Sequence, residues 1–281
     1  MGVGSPMKRR ASVDDLETRR VKESFNVDLD SDYDATGSDH SSDSEADSLF
    51  DEAPSQDEPP LLSTAHLDAV PAARTSPPIP GFFFDPTLRL PEHLADSVVS
   101  HCLATYFTAP HIDQIMLFCR AGTPERPPSG LPPVFLALLD SLCGILKPFL
   151  PPDAHDLLFP TTTTLARQAI INKYEPGEGI TPHVDLLKRF GDGIIGVSFC
   201  SGCVMQFASE AEKKTYGLYL PGRSIIVMTG DARYKWTHGI ERQRADYVFG
   251  EESGSRARLL ERSMRLSITF RWLLPGADIL S

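Results

Sequence analysis

The pattern of apolar residues changes near residue 165, and this change constrains the fold more than any other feature of the chain. Before it, apolar residues recur at helical spacing in 91–107 and 131–150, with a Gly- and Pro-rich loop between them, so two helices are predicted. After it, short β-type runs alternate with turn residues; they cover 166–173, 193–199, 203–207, 217–220, 223–228 and 264–273. Helices followed by many short strands predict an α+β domain whose sheets form a sandwich or barrel.

The acidity of the chain is concentrated in its first 60 residues. They hold 16 of the 38 acidic residues and only 6 of the 27 basic ones, so the rest of the chain is close to neutral. A segment this rich in Ser, Asp and Glu has too few apolar groups to offset the entropy lost on ordering. We therefore predict a disordered acidic tail and Pro-rich linker over 1–78, followed by one folded domain over 79–281.

Several features bear on the compartment. A run of about 18 apolar residues, the length that a membrane-spanning helix needs, is absent, and the first residues lack the apolar run of a signal peptide. Five cysteines, an odd number, favour reduced thiols. Basic clusters at 8–10 and 19–22 have the spacing of a two-part nuclear import signal, with a chance basic patch as the alternative. We expect the nucleus, the cytoplasm or both, no membrane partner, and a monomer as the working assumption.

Candidate metal ligands follow a Gly- and Pro-rich turn. In an extended segment residues i and i+2 point the same way, so His183 and Asp185 offer an imidazole and a carboxylate to a common point. Two histidines and one carboxylate on one face of an octahedral metal leave three positions open, as in non-haem Fe(II) oxygenases. His238 is the only histidine downstream of Asp185, and so the only candidate there for the second imidazole. A structural role for the His-x-Asp pair is the alternative.

The segment 265–271 alternates strictly between apolar and polar residues. Leu266, Ile268 and Phe270 would face one side of a strand, opposite Arg265, Ser267, Thr269 and Arg271. Buried arginines cost free energy unless they are paired with anions, and the planar guanidinium binds a carboxylate through two hydrogen bonds. The pattern is compatible with a small dicarboxylate held between the two arginines and with a strand whose polar face meets solvent.

Four motifs in this order resemble the AlkB-like branch of the Fe(II)/2-oxoglutarate dioxygenases. They are Asn172-x-Tyr174-x-x-Gly177, His183-x-Asp185, the segment 228–240 that contains Trp-Thr-His238-Gly-Ile, and Arg265-x5-Arg271. Tyr-Glu-Pro-Gly and Trp-Thr-His-Gly-Ile look closest to the eukaryotic tRNA-modifying AlkB homologues. The resemblance covers about residues 80–275. It implies a double-stranded β-helix, or jelly roll, supported by the N-terminal helices.

The resemblance also implies roles for the charged residues of these motifs. His183, Asp185 and His238 would hold Fe(II). Arg265 would pair with the distal carboxylate of 2-oxoglutarate, and Arg271 would lie near the end of the co-substrate that chelates the iron.

Polar and aromatic residues of the same motifs would complete the site. Asn172 and Tyr174 would support 2-oxoglutarate by hydrogen bonds. Ser267 stands where some members have Asn, so one hydrogen bond to the co-substrate would be weaker or lost. Three further side chains would line or support the site near the last iron ligand: Arg233, Tyr234 and Trp236.

The implied activity is that of a dioxygenase that uses Fe(II), 2-oxoglutarate and O2 and releases succinate and CO2. The resemblance favours hydroxylation or demethylation of modified nucleic-acid bases, with RNA, and tRNA in particular, ahead of DNA. Few basic or aromatic residues precede the metal motif to grip a nucleotide, so a protein side chain is the alternative substrate. A catalytically silent interaction scaffold is a further alternative, against which the complete set of motif residues argues.

Cys200 and Cys203 have the spacing of a redox or zinc motif. A second cysteine pair or a nearby histidine cluster is missing from the sequence, so we favour a structural role for both.

Overall fold

The computed structural model describes residues 70–120, 130–162, 165–251 and 256–277. Residues 1–69 of the predicted acidic tail and linker, and part of the predicted loop near residue 125, lie outside the described residues. The domain boundary at residue 78 stays a prediction. The helices are α1 (Glu92–Thr105), α2 (Pro133–Leu146), α3 (Pro152–Leu158) and α4 (Gly230–Tyr234). The strands are β1 (Phe82–Arg89), β2 (Gln114–Cys119), β3 (Arg167–Tyr174), β4 (Ile180–His183), β5 (Phe190–Cys200), β6 (Cys203–Ser209), β7 (Lys214–Leu220), β8 (Ser224–Met228), β9 (Thr237–Ile240), β10 (Ala245–Val248), β11 (Arg258–Glu261) and β12 (Arg265–Leu273).

Within the described ranges the strands form two main sheets and a hairpin. The larger sheet has the order β1-β8-β5-β12-β3-β2, the smaller has the order β4-β9-β6-β7, and β10 pairs with β11. Neighbouring strands run antiparallel throughout. The fold is a double-stranded β-helix, or jelly roll, supported by N-terminal helices, as expected from the sequence.

The two faces of the larger sheet pack against different partners. Leu266, Ile268 and Phe270 of β12 share a core with helix residues that include Val98 and Phe135. A second core lies between the sheets, and it joins Ile194, Ile226 and Met228 of the larger sheet to Met205, Phe207 and Leu218 of the smaller one. The polar positions of β12 therefore face the interior between the sheets, because side chains alternate along a strand.

Helices α1 and α2 pack on the outer face of the larger sheet and leave the inner face to the site. Each begins directly after a proline, Pro91 for α1 and Pro132 for α2, which is compatible with the first turn of a helix. The residues of α2 that are buried recur at helical spacing: Phe135, Leu138, Leu142 and Leu146. Burial of a side chain of this size contributes about 1.5–3 kcal/mol to stability. In the described residues, every helix is too short or too polar to cross a membrane.

Residues 72–73, named here the bridging segment, join the smaller sheet to the β10–β11 hairpin. The backbone N–H of Ala72 donates to the carbonyl oxygen of Tyr247 in β10 at 2.9 Å. The backbone N–H of Ala73 donates to the carbonyl oxygen of Gly217 in β7 at 2.8 Å. Two edges that would otherwise be open are thereby hydrogen-bonded to the same short stretch of chain.

Candidate metal centre

Pairing between β4 and β9 brings two of the predicted metal ligands together. His183, the last residue of β4, lies directly opposite His238 of β9, with their ring centroids 4.5 Å apart. Nδ1 of His183 lies 2.8 Å from the carbonyl oxygen of Thr181. Because a carbonyl oxygen only accepts, this bond places the ring proton on Nδ1 and leaves Nε2 with a free lone pair.

Asp185 follows β4 by two residues and completes the cluster. One ring nitrogen of each histidine and one carboxylate oxygen of Asp185 all lie within 4.8 Å of one another. The carboxylate is buried, and its Oδ2 lies 3.6 Å from Nε2 of His238. Two imidazoles and a carboxylate are the donor set of a facial triad, so the chemistry of these residues fits Fe(II).

Burial sets the protonation state of His238. Desolvation, reinforced by the nearby His183 and Arg233, lowers the pKa of His238 to about 3. A neutral imidazole is the form that coordinates a metal ion. At neutral pH, His238 therefore accepts a divalent cation without first having to release a proton.

Arg271 reaches the same carboxylate from the larger sheet. Its Nη1 forms an ion pair with Oδ1 of Asp185, and its Nε donates to Oε1 of Gln168 at 2.7 Å. Its guanidinium carbon lies 3.7 Å from the ring centroid of Phe190, which provides a flat packing surface. Arg271 therefore lies beside the cluster of His183, Asp185 and His238, and its place near the chelating end of 2-oxoglutarate stays a prediction.

Arg265, at the other end of β12, is buried with unused hydrogen-bonding capacity. It is 5% exposed, its Nη2 donates to Oγ of Ser198 at 2.8 Å, and its guanidinium carbon lies 5.2 Å from the ring centroid of Tyr174. Its Nε and Nη1 have no hydrogen-bond partner among the described residues. Since unpaired buried donors on a cation are costly, a carboxylate of a small ligand fits this position.

The other residues predicted to bind the co-substrate lie on the interior face of the larger sheet, near the stretch of β12 between its two arginines. In the register of the larger sheet, Ser267 lies opposite Asn172 of β3 on one side and Ser198 of β5 on the other. The side-chain oxygen of Asn172 accepts a hydrogen bond from Nε2 of Gln114 at 2.9 Å. Tyr174 lies opposite Arg265. The fold thus brings together all eight residues predicted to hold metal and 2-oxoglutarate: His183, Asp185, His238, Asn172, Tyr174, Arg265, Ser267 and Arg271.

The three side chains predicted to line or support the site have different environments. Arg233 is 2% exposed and donates to backbone carbonyls. Tyr234 is 39% exposed, and its ring packs on the Arg233 guanidinium with 4.8 Å between ring centroid and guanidinium carbon. Trp236 is buried and stacks on Tyr216 at 5.6 Å between centroids. Arg233 and Trp236 therefore support the site from the core, and Tyr234 alone of the three is open to solvent.

Four side chains belong to the site although sequence reasoning did not select them: Gln114, Gln168, Phe190 and Ser198. Alternation along β3 and β5 places Gln168 and Ser198 on the interior face, a signal that was available in the sequence. Their roles depend on the register, because Gln168 bonds Arg271 only when β3 and β12 are adjacent.

Comparison with known proteins identified a matching protein family and several relatives of this chain. The family model described as the 2OG-Fe(II) oxygenase superfamily matches residues 126–271. The tRNA (carboxymethyluridine(34)-5-O)-methyltransferase ALKBH8 of Mus musculus is 38% identical over 155 residues, which cover 51% of this chain and 21% of that protein. Uncharacterized protein L905 of Acanthamoeba polyphaga mimivirus is 40% identical over 107 residues, 37% of this chain and 47% of that protein.

A third relative is the mitochondrial alpha-ketoglutarate-dependent dioxygenase alkB homolog 7 of Bos taurus. It is 33% identical over 114 residues, 40% of this chain and 48% of that protein. Across these three relatives the matches span from 21% to 48% of the relative's length. Among solved structures, that of OsALKBH1 has a TM-score of 0.43 and 16% identity, and covers 68% of this chain and 96% of that chain.

The region matched by the family model makes up just over half of the chain and contains the three clustered ligands and both arginines of β12. The alkB name recurs among these relatives. The chain therefore belongs to the 2OG-Fe(II) oxygenase superfamily, as an AlkB-like member of these dioxygenases, which use Fe(II), 2-oxoglutarate and O2.

Proposed function

We propose that this chain couples the oxidative decarboxylation of 2-oxoglutarate to the hydroxylation or demethylation of a modified nucleic-acid base, with RNA, and tRNA in particular, ahead of DNA. One observation carries the proposal. The cluster of His183, Asp185 and His238 lies beside one end of β12, and the two unpartnered donors of Arg265 lie at the other end. A divalent cation would be bound by the three clustered side chains, and one carboxylate of a dicarboxylate would pair with the free donors of Arg265.

The residues of the site have three roles: they bind the metal ion, bind the co-substrate and neutralise the charge of Asp185. His183, Asp185 and His238 would hold Fe(II), which would supply the oxidative chemistry. Arg265 would bind the distal carboxylate of 2-oxoglutarate, since its Nε and Nη1 have no partner among the described residues. Arg271 offsets the charge of Asp185 and would lie beside the metal-chelating end of the co-substrate.

Ser267, Asn172 and Tyr174 complete the co-substrate site between the arginines. They occupy neighbouring interior positions in the register of β12 and β3. The Ser267 hydroxyl is shorter than an Asn side chain and offers one oxygen to the co-substrate.

The choice of a modified base rests on the names of the relatives. The Mus musculus relative is named for modification of a tRNA uridine, and an Arabidopsis thaliana relative, 32% identical over 122 residues, is named an alkylated DNA repair protein. The methyltransferase activity in the first name is not part of the proposal, because the match covers 21% of that protein. Hydroxylation of an N-methyl group would give an unstable hemiaminal that releases formaldehyde, so this product reports demethylation.

The enzyme proposal is tested by succinate formation from 2-oxoglutarate in the presence of Fe(II) and O2. We expect turnover by the wild-type chain and the background rate for His183→Ala, because one ligand of three is lost. The matched control is His93→Ala, which removes an exposed histidine of α1 and should keep wild-type turnover. Equal rates for wild type and His183→Ala would show that the turnover does not come from this site.

The substrate proposal is tested by incubating the active chain with total tRNA and with methylated RNA and DNA oligonucleotides. Mass spectrometry of the digested nucleosides should show a modified nucleoside changing in RNA to a greater extent than in DNA. A change confined to DNA would contradict the RNA preference. Intact 2-oxoglutarate turnover with no change in any nucleoside would contradict the nucleic-acid substrate and direct attention to a protein side chain.

A further inference from the structure

Asp185 lies outside the strands, on the segment that joins the two main sheets. Strand β4 ends at His183 and β5 begins at Phe190, so the carboxylate ligand stands on the turn between them. Within that turn, the backbone N–H groups of Arg189 and Phe190 both donate to the carbonyl oxygen of Leu186. These bonds shape the turn, and the backbone N–H of Leu274, directly after β12, donates to the carbonyl oxygen of Arg189 at 2.9 Å.

Arg233 of α4 connects this segment to the helix that precedes β9. Its Nη1 donates to the carbonyl oxygen of Asp185 at 3.0 Å, its Nη2 to that of Phe190 at 3.1 Å, and its Nε to that of Gly191 at 3.2 Å. All three nitrogens of the buried guanidinium therefore donate to the turn or to the first two residues of β5, and Nη2 also lies 3.5 Å from the carbonyl oxygen of Leu186. We name Arg233 and the carbonyls of Asp185, Phe190 and Gly191 the Arg233 clamp.

The helix that carries Arg233 is itself held to the same region. Asp192 accepts hydrogen bonds from the backbone N–H of Gly230, at 3.0 Å to Oδ1 and 3.2 Å to Oδ2. Helix α4 then leads within a few residues into β9, which carries His238. The turn bearing Asp185 and the strand bearing His238 are thus connected through one short helix, with Asp192 at its start and Arg233 near its end.

The clamp also reaches the side chain of Arg271. Phe190, whose carbonyl accepts from Nη2 of Arg233, is the ring on which Arg271 packs at 3.7 Å. A displacement of the turn would therefore move the metal ligand Asp185 and the packing surface of Arg271 together.

We propose that Arg233 is a positioning residue for the metal centre: it sets the turn of Asp185 and Phe190 relative to His238 through backbone carbonyls alone. It does not touch the ligand atoms. A lysine cannot replace it, because one ammonium cannot donate along the three directions that the planar guanidinium spans. The proposal rests on the proposed function, since it requires the cluster of His183, Asp185 and His238 to bind a divalent cation.

The test measures binding of Mn²⁺ alone to the metal-free full chain, by the electron paramagnetic resonance signal of free Mn²⁺. Arg233→Gln and Arg233→Lys should both raise the dissociation constant by about 10- to 100-fold, as expected when a ligand-orienting group is lost. The lysine variant keeps the charge and most of the volume, so it supplies the test where the glutamine variant does not fold.

The matched control is Arg167→Lys. Arg167 is also buried, donates to the carbonyl oxygen of Leu158 and packs over Trp272 at 3.8 Å, but it belongs to no part of the site. This variant should lower the thermal midpoint of unfolding. Its dissociation constant for Mn²⁺ should stay within about twofold of wild type, a much smaller change than the 10- to 100-fold expected when a group that orients a metal ligand is lost. A purely structural role for Arg233 predicts the same result for both positions.

Three outcomes would overturn the positioning role. They are wild-type Mn²⁺ affinity in both Arg233 variants, wild-type affinity in Arg233→Lys alone, and equal weakening in Arg167→Lys. Failure of the wild-type chain to bind Mn²⁺ would instead contradict the proposed function itself, so the two failures are distinguishable.

Discussion

Two arginines on the same face of β12 have opposite environments. Arg271 is neutralised within the chain, because Asp185, Gln168 and the Phe190 ring surround its guanidinium. Arg265 has one hydroxyl and one aromatic ring beside it, and two of its donors are unpaired. The same residue type therefore serves as an internal counter-ion at one end of the strand and keeps two unpaired donors at the other, where we propose that it binds an anion.

This difference predicts the effect of replacing Arg265 by Lys. The variant keeps a charge but loses the planar pair of donors, so we expect the KM for 2-oxoglutarate to rise by roughly 10- to 100-fold, as for loss of a hydrogen bond to a charged group. Initial rates of succinate formation against 2-oxoglutarate concentration measure it. Arg258→Lys on exposed β11 is the control that should leave KM unchanged. An unaltered KM in Arg265→Lys would remove Arg265 from the co-substrate site.

At the scale of elements, the local sequence pattern predicted the helices and strands in which apolar residues recur at regular spacing. The spacing of apolar residues found α1 and α2, and the alternation in β12 separated its core side chains from Arg265 and Arg271 correctly. The position of β12 between β3 and β5 was not predictable, because strand order is decided by packing between residues far apart in sequence.

Short elements with mixed composition also escaped prediction. Strands β10 and β11 have four residues each and carry charged side chains, so their sequences lack a clear alternation. Helix α4 has five residues, and its place is set by the contacts of Asp192 and Arg233. For the proposed site, the motifs selected the candidate metal and co-substrate residues, whereas Gln168 and Phe190 became evident only from the tertiary structure.

The close approach of β9 to β4 predicts that Gly239→Ala weakens the metal centre. A Cβ at this position would lie 2.8 Å from backbone atoms of Pro182, so the strands that carry His183 and His238 would have to separate. We expect Mn²⁺ affinity to fall by about tenfold or more, the effect of misplaced ligands.

Gly144→Ala is the matched control for that prediction. A Cβ at this exposed helix position meets nothing within 4 Å, and alanine should stabilise α2 by about 0.5–1 kcal/mol. Calorimetric titration with Mn²⁺ distinguishes the two variants, and equal affinities would show that β4 and β9 tolerate the added carbon.

The β10–β11 hairpin depends on a buried ion pair. Arg262 donates to both carboxylate oxygens of Asp246, at 2.7 and 2.6 Å, and to the carbonyl oxygen of Glu241 at 2.7 Å. The two side chains are 5% and 1% exposed. Removing one partner leaves a buried charge, so Arg262→Met should lower the free energy of unfolding by about 3–5 kcal/mol.

Denaturant unfolding with a double-mutant cycle checks this pair. Arg262→Met combined with Asp246→Asn should cost less than the sum of the two single changes, because each single change already breaks the interaction. Strictly additive costs would mean that the two side chains stabilise the hairpin independently.

At the scale of the whole molecule, the bridging segment ties the described N-terminal residues to two separate strands. Its two residues take part in four backbone hydrogen bonds, two with β7 and two with the β10 region. A chain that starts at residue 76 should therefore have a thermal midpoint roughly 10 °C below that of a chain that starts at residue 70, at about 1 kcal/mol per bond. Differential scanning fluorimetry measures the difference, and equal midpoints would show that other contacts hold the hairpin.

Because β12 lies in the middle of the larger sheet but near the end of the described residues, it determines when that sheet can form during synthesis of the chain. A ribosome releases β3 and β5 long before β12, so their facing edges stay unpaired until residues 265–273 have emerged. Unpaired edges invite aggregation, and pairing of distant strands is slow. His183, Asp185 and His238 all precede β12, so a nascent chain holds every metal ligand before the strand that supplies both arginines. Assembly of the catalytic centre thus becomes a late kinetic step, reached only when the middle of the larger sheet is filled.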